Sequence, residues 1–147
     1  ASPDDAYLVI RGLRTLDVRL ERHEKNTKEV IKFLIKQKKI VEILYPYKKG
    51  TKNYKNWKKY YKGATGLLGL VIKSKSKNSV FKFINSLELF GIGYSWGGFE
   101  SLAVYQDIQR EFKKYKDKDL HIVRLHVGLE DPKDLIFDIK NSLKYIK

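Results

Sequence analysis

The chain has 147 residues and a formal net charge of +14, from 31 Lys and Arg against 17 Asp and Glu. A hydrophobic content of 42% suits one packed domain over residues 1–147 and is too high for a disordered basic tail. The absence of Cys excludes disulfide scaffolds, cysteine nucleophiles and thiolate metal sites. No apolar run reaches the length of about 18 residues that a membrane span needs, and the start, Ala1-Ser2-Pro3-Asp4-Asp5, is too acidic for a secretory signal. The expectation is a soluble, cytoplasmic domain without membrane contact. Met is absent throughout, which points to a part of something longer.

The charge has an ordinary explanation. Only six of the 31 cations are Arg, and Lys, Ile, Asn and Tyr are abundant while Ala is scarce. These are the residues of AT-rich codons, so a base bias yields the same charge with no function attached.

In chain order, Ser2, Pro3 and the pair Asp4-Asp5 form a helix start. Leu13, Leu16 and Leu20, then Val30, Ile31, Leu34 and Ile35, continue a helical stripe that predicts one long helix ending near Lys38. Asn26-Thr27 either restarts that helix or lies on its wet face. Ile40 to Tyr45 reads as a short strand stopped by Pro46, and residues 47–63 as a basic, aromatic connection with a short helix around Trp57. Gly66 to Lys73 predicts a central strand. Ser79 reads as the cap of a helix carrying Val80, Phe83, Ile84 and Leu87, and Gly91 to Trp96 as a strand. Residues 106–119 are polar without a clear period. Leu120 to Val127 alternates, with His121, Val123, Leu125 and Val127 on one face and Leu120, Ile122, Arg124 and His126 on the other. Asp131-Pro132 opens a final helix with Leu135, Ile139, Leu143 and Ile146 on one side. This order favours an α/β fold of the α+β type, a mostly antiparallel or mixed sheet with helices on one face.

Four features carry candidate chemistry. Residues 48–62 hold seven Lys interleaved with Tyr54, Trp57, Tyr60 and Tyr61, next to Tyr47. They read either as a grip for nucleic acid or as a surface segment whose rings pack inward. His121 and His126 fall on opposite strand faces, a spacing that builds no tetrahedral metal site. Thr51-Lys52 resembles an imine-forming lysine only superficially, because that role needs a walled pocket. Gly97-Gly98 lets the backbone turn tightly, either to approach a ligand or simply to turn. Arg124, in mid-strand among apolar residues, suits either a bidentate grip on a carboxylate or a salt bridge to a neighbouring element.

Three stretches carry a family resemblance across nearly the whole chain. They are Arg11-Gly12-Leu13-Arg14-Thr15-Leu16 with Arg19-Leu20 and His23, Tyr94-Ser95-Trp96-Gly97-Gly98-Phe99-Glu100-Ser101-Leu102, and Arg124-Leu125-His126-Val127-Gly128-Leu129-Glu130-Asp131 with Asp134-Leu135-Ile136. In order and spacing they resemble the C-terminal domain of the cystathionine-metabolising pyridoxal-phosphate enzymes. Trp96 and the Arg124–Asp131 wording are most similar to bacterial cystathionine β-lyases, with the γ-acting relatives as the alternative. The resemblance implies the small domain of fold-type I pyridoxal-phosphate enzymes. It implies that Arg124 binds the substrate α-carboxylate, that the backbone near Trp96 assists, that Ser95 stands near the catalytic lysine and that Tyr94 lines the cleft. It further implies pyridoxal phosphate in the complete enzyme, cystathionine as substrate and a homo-oligomer. The family's cofactor lysine, phosphate loop, pyridine-pairing Asp and ring-stacking Tyr have no counterpart in these motifs. The chain is therefore expected to bind no cofactor alone, to be inactive alone, and to expose an apolar patch on its first helix and around Ile122 and Arg124.

Overall fold

The computed structural model describes residues 1–107 and 119–147. Helix α1 (Pro3–Leu13) begins as expected. The Ser2 hydroxyl accepts the Asp5 N–H and the Asp5 carboxylate accepts the Ser2 N–H, each at 3.1 Å. The long helix foreseen to Lys38 is broken at Arg14-Thr15, and α2 spans Leu16–Leu34. At the break the Arg19 guanidinium donates to the Gly12 carbonyl at 2.7 Å, so the freed acceptor is satisfied by a side chain seven residues on. At the far end the Gln37 amide donates to the Phe33 carbonyl, and the chain leaves the helix four residues earlier than Lys38.

A five-stranded sheet follows, formed by β1 (Ile40–Leu44), β2 (Leu67–Lys73), β3 (Gly91–Ile92), β4 (Leu102–Gln106) and β5 (Leu120–His126) in the order β1-β2-β5-β4-β3. All neighbours are antiparallel except β3 and β4. The expected strand Gly91–Trp96 is only two residues long, and β4 was not anticipated. The polar stretch 106–119 falls mostly outside the described residues, as does the side chain of Lys52. Helix α3 (Lys52–Tyr60) surrounds Trp57 as foreseen. Helix α4 spans Lys77–Asn85, and its cap is Ser76 rather than Ser79. Ser79 is buried within the first turn, where its N–H donates to the Ser76 hydroxyl and its own hydroxyl to the Ser76 carbonyl. Helix α5 (Pro132–Ser142) opens with the Asp131 carboxylate accepting the Lys133 N–H.

Register pairs Leu68 with Leu125, Leu70 with Val123 and Ile72 with His121 on one side of the sheet. That side meets Val30 and Leu34 from α2, Val80 and Phe83 from α4, and Leu135 and Ile139 from α5. The result is the predicted architecture, helices on one face of a mostly antiparallel sheet, and each of these side chains loses its apolar surface to the same core. Asn26 and Thr27 are buried, not on a wet face. Helix α1 buries no residue, and Tyr7, Leu8, Val9, Ile10 and Leu13 are each more than half exposed. No described helix is long and apolar enough to cross a membrane.

Candidate functional site

The side of the sheet turned away from the core carries the candidate chemistry. Period-two alternation along β5 sends Ile122, Arg124 and His126 there, while Val123 and Leu125 enter the core. Arg124 sits between Gly69 of β2 and Val104 of β4. On its other side Gly69 faces Leu44 of β1, where an added Cβ would stand 3.2 Å from the Leu44 side chain. A cavity of about 530 Å³ opens on this side, lined among others by Tyr45, Tyr47, Trp57, Tyr61, Ile122 and Arg124. Burial pushes the Tyr45 hydroxyl well above the ordinary phenol range, so it stays protonated and donates to the Thr65 carbonyl at 2.9 Å.

Arg124 is half-buried and already holds part of its own surroundings. Its Nη2 donates to the carbonyls of Gly93 (3.2 Å), Tyr94 (2.6 Å) and Ser95 (3.2 Å). The Tyr94 ring lies 5.9 Å from the guanidinium carbon. These contacts give the carbonyls just beyond the end of β3 a partner outside the sheet ladder. Nη2 carries two of the five guanidinium N–H groups, so three remain on Nε and Nη1. The spare donors on Nε and Nη1 lie on different edges of the guanidinium, so each can take a carboxylate oxygen singly, and a two-bond fork needs Nη2 to release a backbone carbonyl.

The loop over Arg124 is fastened at its other end as well. Gly97 has φ +83°, a left-handed conformation suited to glycine. Its N–H donates to Nε2 of His126 at 3.1 Å. The Glu130 carboxylate accepts the Ser101 N–H at 2.7 Å and the Ser101 hydroxyl at 2.9 Å, and the Gly128 N–H donates to that hydroxyl. Asn26 of α2 donates to the carbonyls of Gly128 and Glu130. Gly128 is fixed by lack of room: a Cβ would stand 2.3 Å from the Phe99 carbonyl oxygen.

Of the residues singled out from sequence, the structure brings Arg124 together with the backbone of Tyr94 and Ser95. The side chains of Tyr94, Ser95 and Trp96 are exposed. Residues 47–63 turn much of their aromatic surface inward: Trp57 meets the edge of Tyr47 and stacks on Tyr54, and its indole N–H donates to the Gly63 carbonyl. The Lys28 ammonium sits 4.3 Å from the Tyr47 ring centre. Three of the five rings a nucleic-acid grip would present are thus engaged within the domain; Tyr60 and Tyr61 are exposed. Sequence reasoning gave no role to Asn26, Ser101 or Glu130, although the last two stand within the quoted motifs.

An imine-forming lysine is held in a desolvated pocket. Among the described side chains no lysine is buried, and Lys28, half-buried, is paired with Glu24. These described residues do not fit the role of holding pyridoxal phosphate; what they build is an arginine tied to the 93–95 backbone at the rim of a cavity. No group of three potential metal ligands occurs among the described residues.

A mostly antiparallel sheet with helices on one face and a loop-clamped arginine on the other defines a domain of the fold-type I pyridoxal-phosphate enzymes. It superposes with a TM-score of 0.81 and 29% identity on a Campylobacter jejuni structure assigned as an O-acetylhomoserine (thiol)-lyase, which carries a pyridoxyl-lysine phosphate. That alignment covers 97% of this chain and 32% of the other. The chain belongs to the Cys/Met metabolism PLP-dependent enzyme family, whose profile matches residues 1–144. Similar relatives include the cystathionine β-lyase of Bordetella avium, 37% identical over 144 residues, 97% of this chain and 36% of that protein. Human cystathionine γ-lyase is 37% identical over 149 residues (97% and 36%), and an L-alanine/L-glutamate racemase of Wolbachia pipientis is 37% identical over 142 (95% and 35%). The chain spans little more than a third of the length of these relatives.

Proposed function

We propose that residues 1–147 form the substrate-binding domain of a pyridoxal-phosphate-dependent cystathionine β-lyase. The reaction would be a cytoplasmic step of methionine biosynthesis that releases homocysteine, pyruvate and ammonia. One observation carries the reading: a half-buried guanidinium on the open sheet face, with three N–H donors to spare, at the rim of an aromatic-lined cavity. In this reading Arg124 takes the α-carboxylate of the sulfur amino acid through Nη1, and through Nη2 as it gives up a backbone carbonyl. The 93–95 backbone keeps the guanidinium plane in place, Tyr94 and Trp96 line the approach and Ser95 stands beside the reacting group. The cofactor and its lysine belong to the remainder of the complete, homo-oligomeric enzyme, and the chain alone has no lyase activity. The γ-lyase relative supports γ-cleavage of the same substrate as the second reading.

The test replaces the matching segment of the Bordetella avium enzyme with this chain. A chimera that retains pyridoxal phosphate should release pyruvate from cystathionine. Arg124→Lys should raise KM about 10- to 100-fold, the scale of a lost charge-assisted bond. Release of cysteine and 2-oxobutyrate would establish γ-cleavage instead, and alanine racemisation without carbon–sulfur cleavage would overturn both. An unchanged KM in Arg124→Lys would remove Arg124 from the substrate.

A further inference from the structure

His23 on α2 and His126 on β5 are both buried, and their rings lie 5.0 Å apart at 49°. Each has one nitrogen with a backbone partner and one without. Nδ1 of His23 is 2.7 Å from the Val127 carbonyl, while its Nε2 is buried and unpartnered. Nε2 of His126 receives the Gly97 N–H, while its Nδ1 is buried and unpartnered. Two orphaned nitrogens on adjacent buried rings are a costly coincidence unless they serve each other.

The backbone partners fix where the protons are. A carbonyl only accepts, so Nδ1 of His23 carries the hydrogen and Nε2 is a lone pair. At Nε2 of His126 the Gly97 N–H, which only donates, is nearer at 3.1 Å than the Gly98 carbonyl at 3.3 Å, so Nε2 is assigned the lone pair and Nδ1 the hydrogen. The orphans are therefore one donor and one acceptor, of complementary kind. We infer that His126 and His23 form a one-directional hydrogen-bond relay, from Gly97 N–H through both rings to the Val127 carbonyl, that positions the 93–98 loop over Arg124. A small turn of either ring, or one buried water, closes the middle step and leaves the protons on the same nitrogens. Gly66 keeps the space: a Cβ there would stand 2.9 Å from the His126 ring.

The relay has two states. A proton added to Nε2 of His126 removes the acceptor for Gly97 and turns that nitrogen into a donor toward the Gly98 carbonyl, 3.3 Å away. Burial, His23 from α2 and Arg124 from the same strand favour the neutral ring, whereas the Gly98 carbonyl and Glu130 from the turn after β5 favour the charged one. Burial is the largest of these and holds His126 below the ordinary imidazole range, so the neutral relay is the resting state. His23 and His126 are thus positioning residues; only the bearing on substrate rests on the carboxylate role of Arg124.

Nitrogen-15 correlation spectra of the imidazoles in the 147-residue chain, without substrate or cofactor, read the tautomers directly. Both rings should carry the proton on Nδ1 at pH 7.5, the reverse of the free histidine side chain. A proton on Nε2 of His126, or fast averaging of its two nitrogens, would overturn the relay whatever the protein's reaction. His23→Ala should move His126 toward the Nε2–H form and speed Gly97 amide exchange at least tenfold, with Leu70 exchange unchanged. His23→Gln, whose amide both accepts and donates, should restore both readings. If Leu70 exchange is lost in the alanine variant, the glutamine variant decides: protection of Leu70 with free exchange of Gly97 refutes the relay.

Discussion

Val123 and Leu125 leave β5 toward the helices and are fully buried, whereas Ile122 and Arg124 leave the same strand from its other side and remain half-exposed. The first face is apolar and redundant, since many side chains share one core. The second is polar and particular: one guanidinium, one imidazole and a loop tied to both. Alternation of period two lets seven consecutive residues serve stability and binding at once, with little overlap between them. Substitutions on one face should move stability and leave the loop alone, and those on the other should do the reverse.

The largest effect belongs to the core face. Leu125→Ala empties a fully buried site and should cost about 2–5 kcal/mol in urea unfolding; a loss under about 1 kcal/mol would mean the two faces are not energetically distinct. Glu130→Ala comes next. It strands the buried Ser101 N–H and hydroxyl and should cost about 1–3 kcal/mol, with exchange at Ser101 accelerated and the β2 amides still protected. The pH dependence is smaller and belongs to the loop face. The unfolded chain takes up the His126 proton more readily than the folded one, so this contribution to stability is intact above about pH 6.5. It is lost as pH falls below that value toward the lower folded pKa. The midpoint of urea unfolding should fall between pH 7 and 5.5, less steeply in His126→Asn. Arg124→Lys should be the mildest, within about 0.5 kcal/mol. A larger loss would show that the clamp on residues 93–95 stabilises the fold, and would blur the contrast.

Much of this was readable in advance. The alternation of β5, the Ser2-Pro3 and Asp131-Pro132 helix starts and the Trp57 helix depend on local chemistry, and local chemistry is what a sequence displays. The misses are non-local. Asn26 reads as polar and wet because its acceptors, the carbonyls of Gly128 and Glu130, lie a hundred positions away. Past Ile92 the carbonyls of residues 93–95 turn to an arginine from another strand, which no residue between 91 and 96 announces. The run Leu102-Ala103-Val104-Tyr105 does display a strand, but the glycine turn before it and the polar stretch after it hide its limits. For the site, Arg124 stands out as a charge among apolar neighbours, whereas the His23–His126 pairing becomes visible only when α2 lies against the end of β5.

Helix α1 leaves a last consequence. Its 11 residues are fewer than the roughly 12–15 at which an isolated helix becomes even marginal in water. It buries none of them, so its order is borrowed rather than owned; among the described residues the Ser2-Asp5 cap and the Thr15 and Arg19 bonds to the Gly12 carbonyl tie its two ends. Its amides should exchange orders of magnitude faster than those of β2 and β5. Any surface that covers Tyr7, Leu8 and Ile10 would slow them, making this helix a built-in reporter of whether the chain stands alone or is docked.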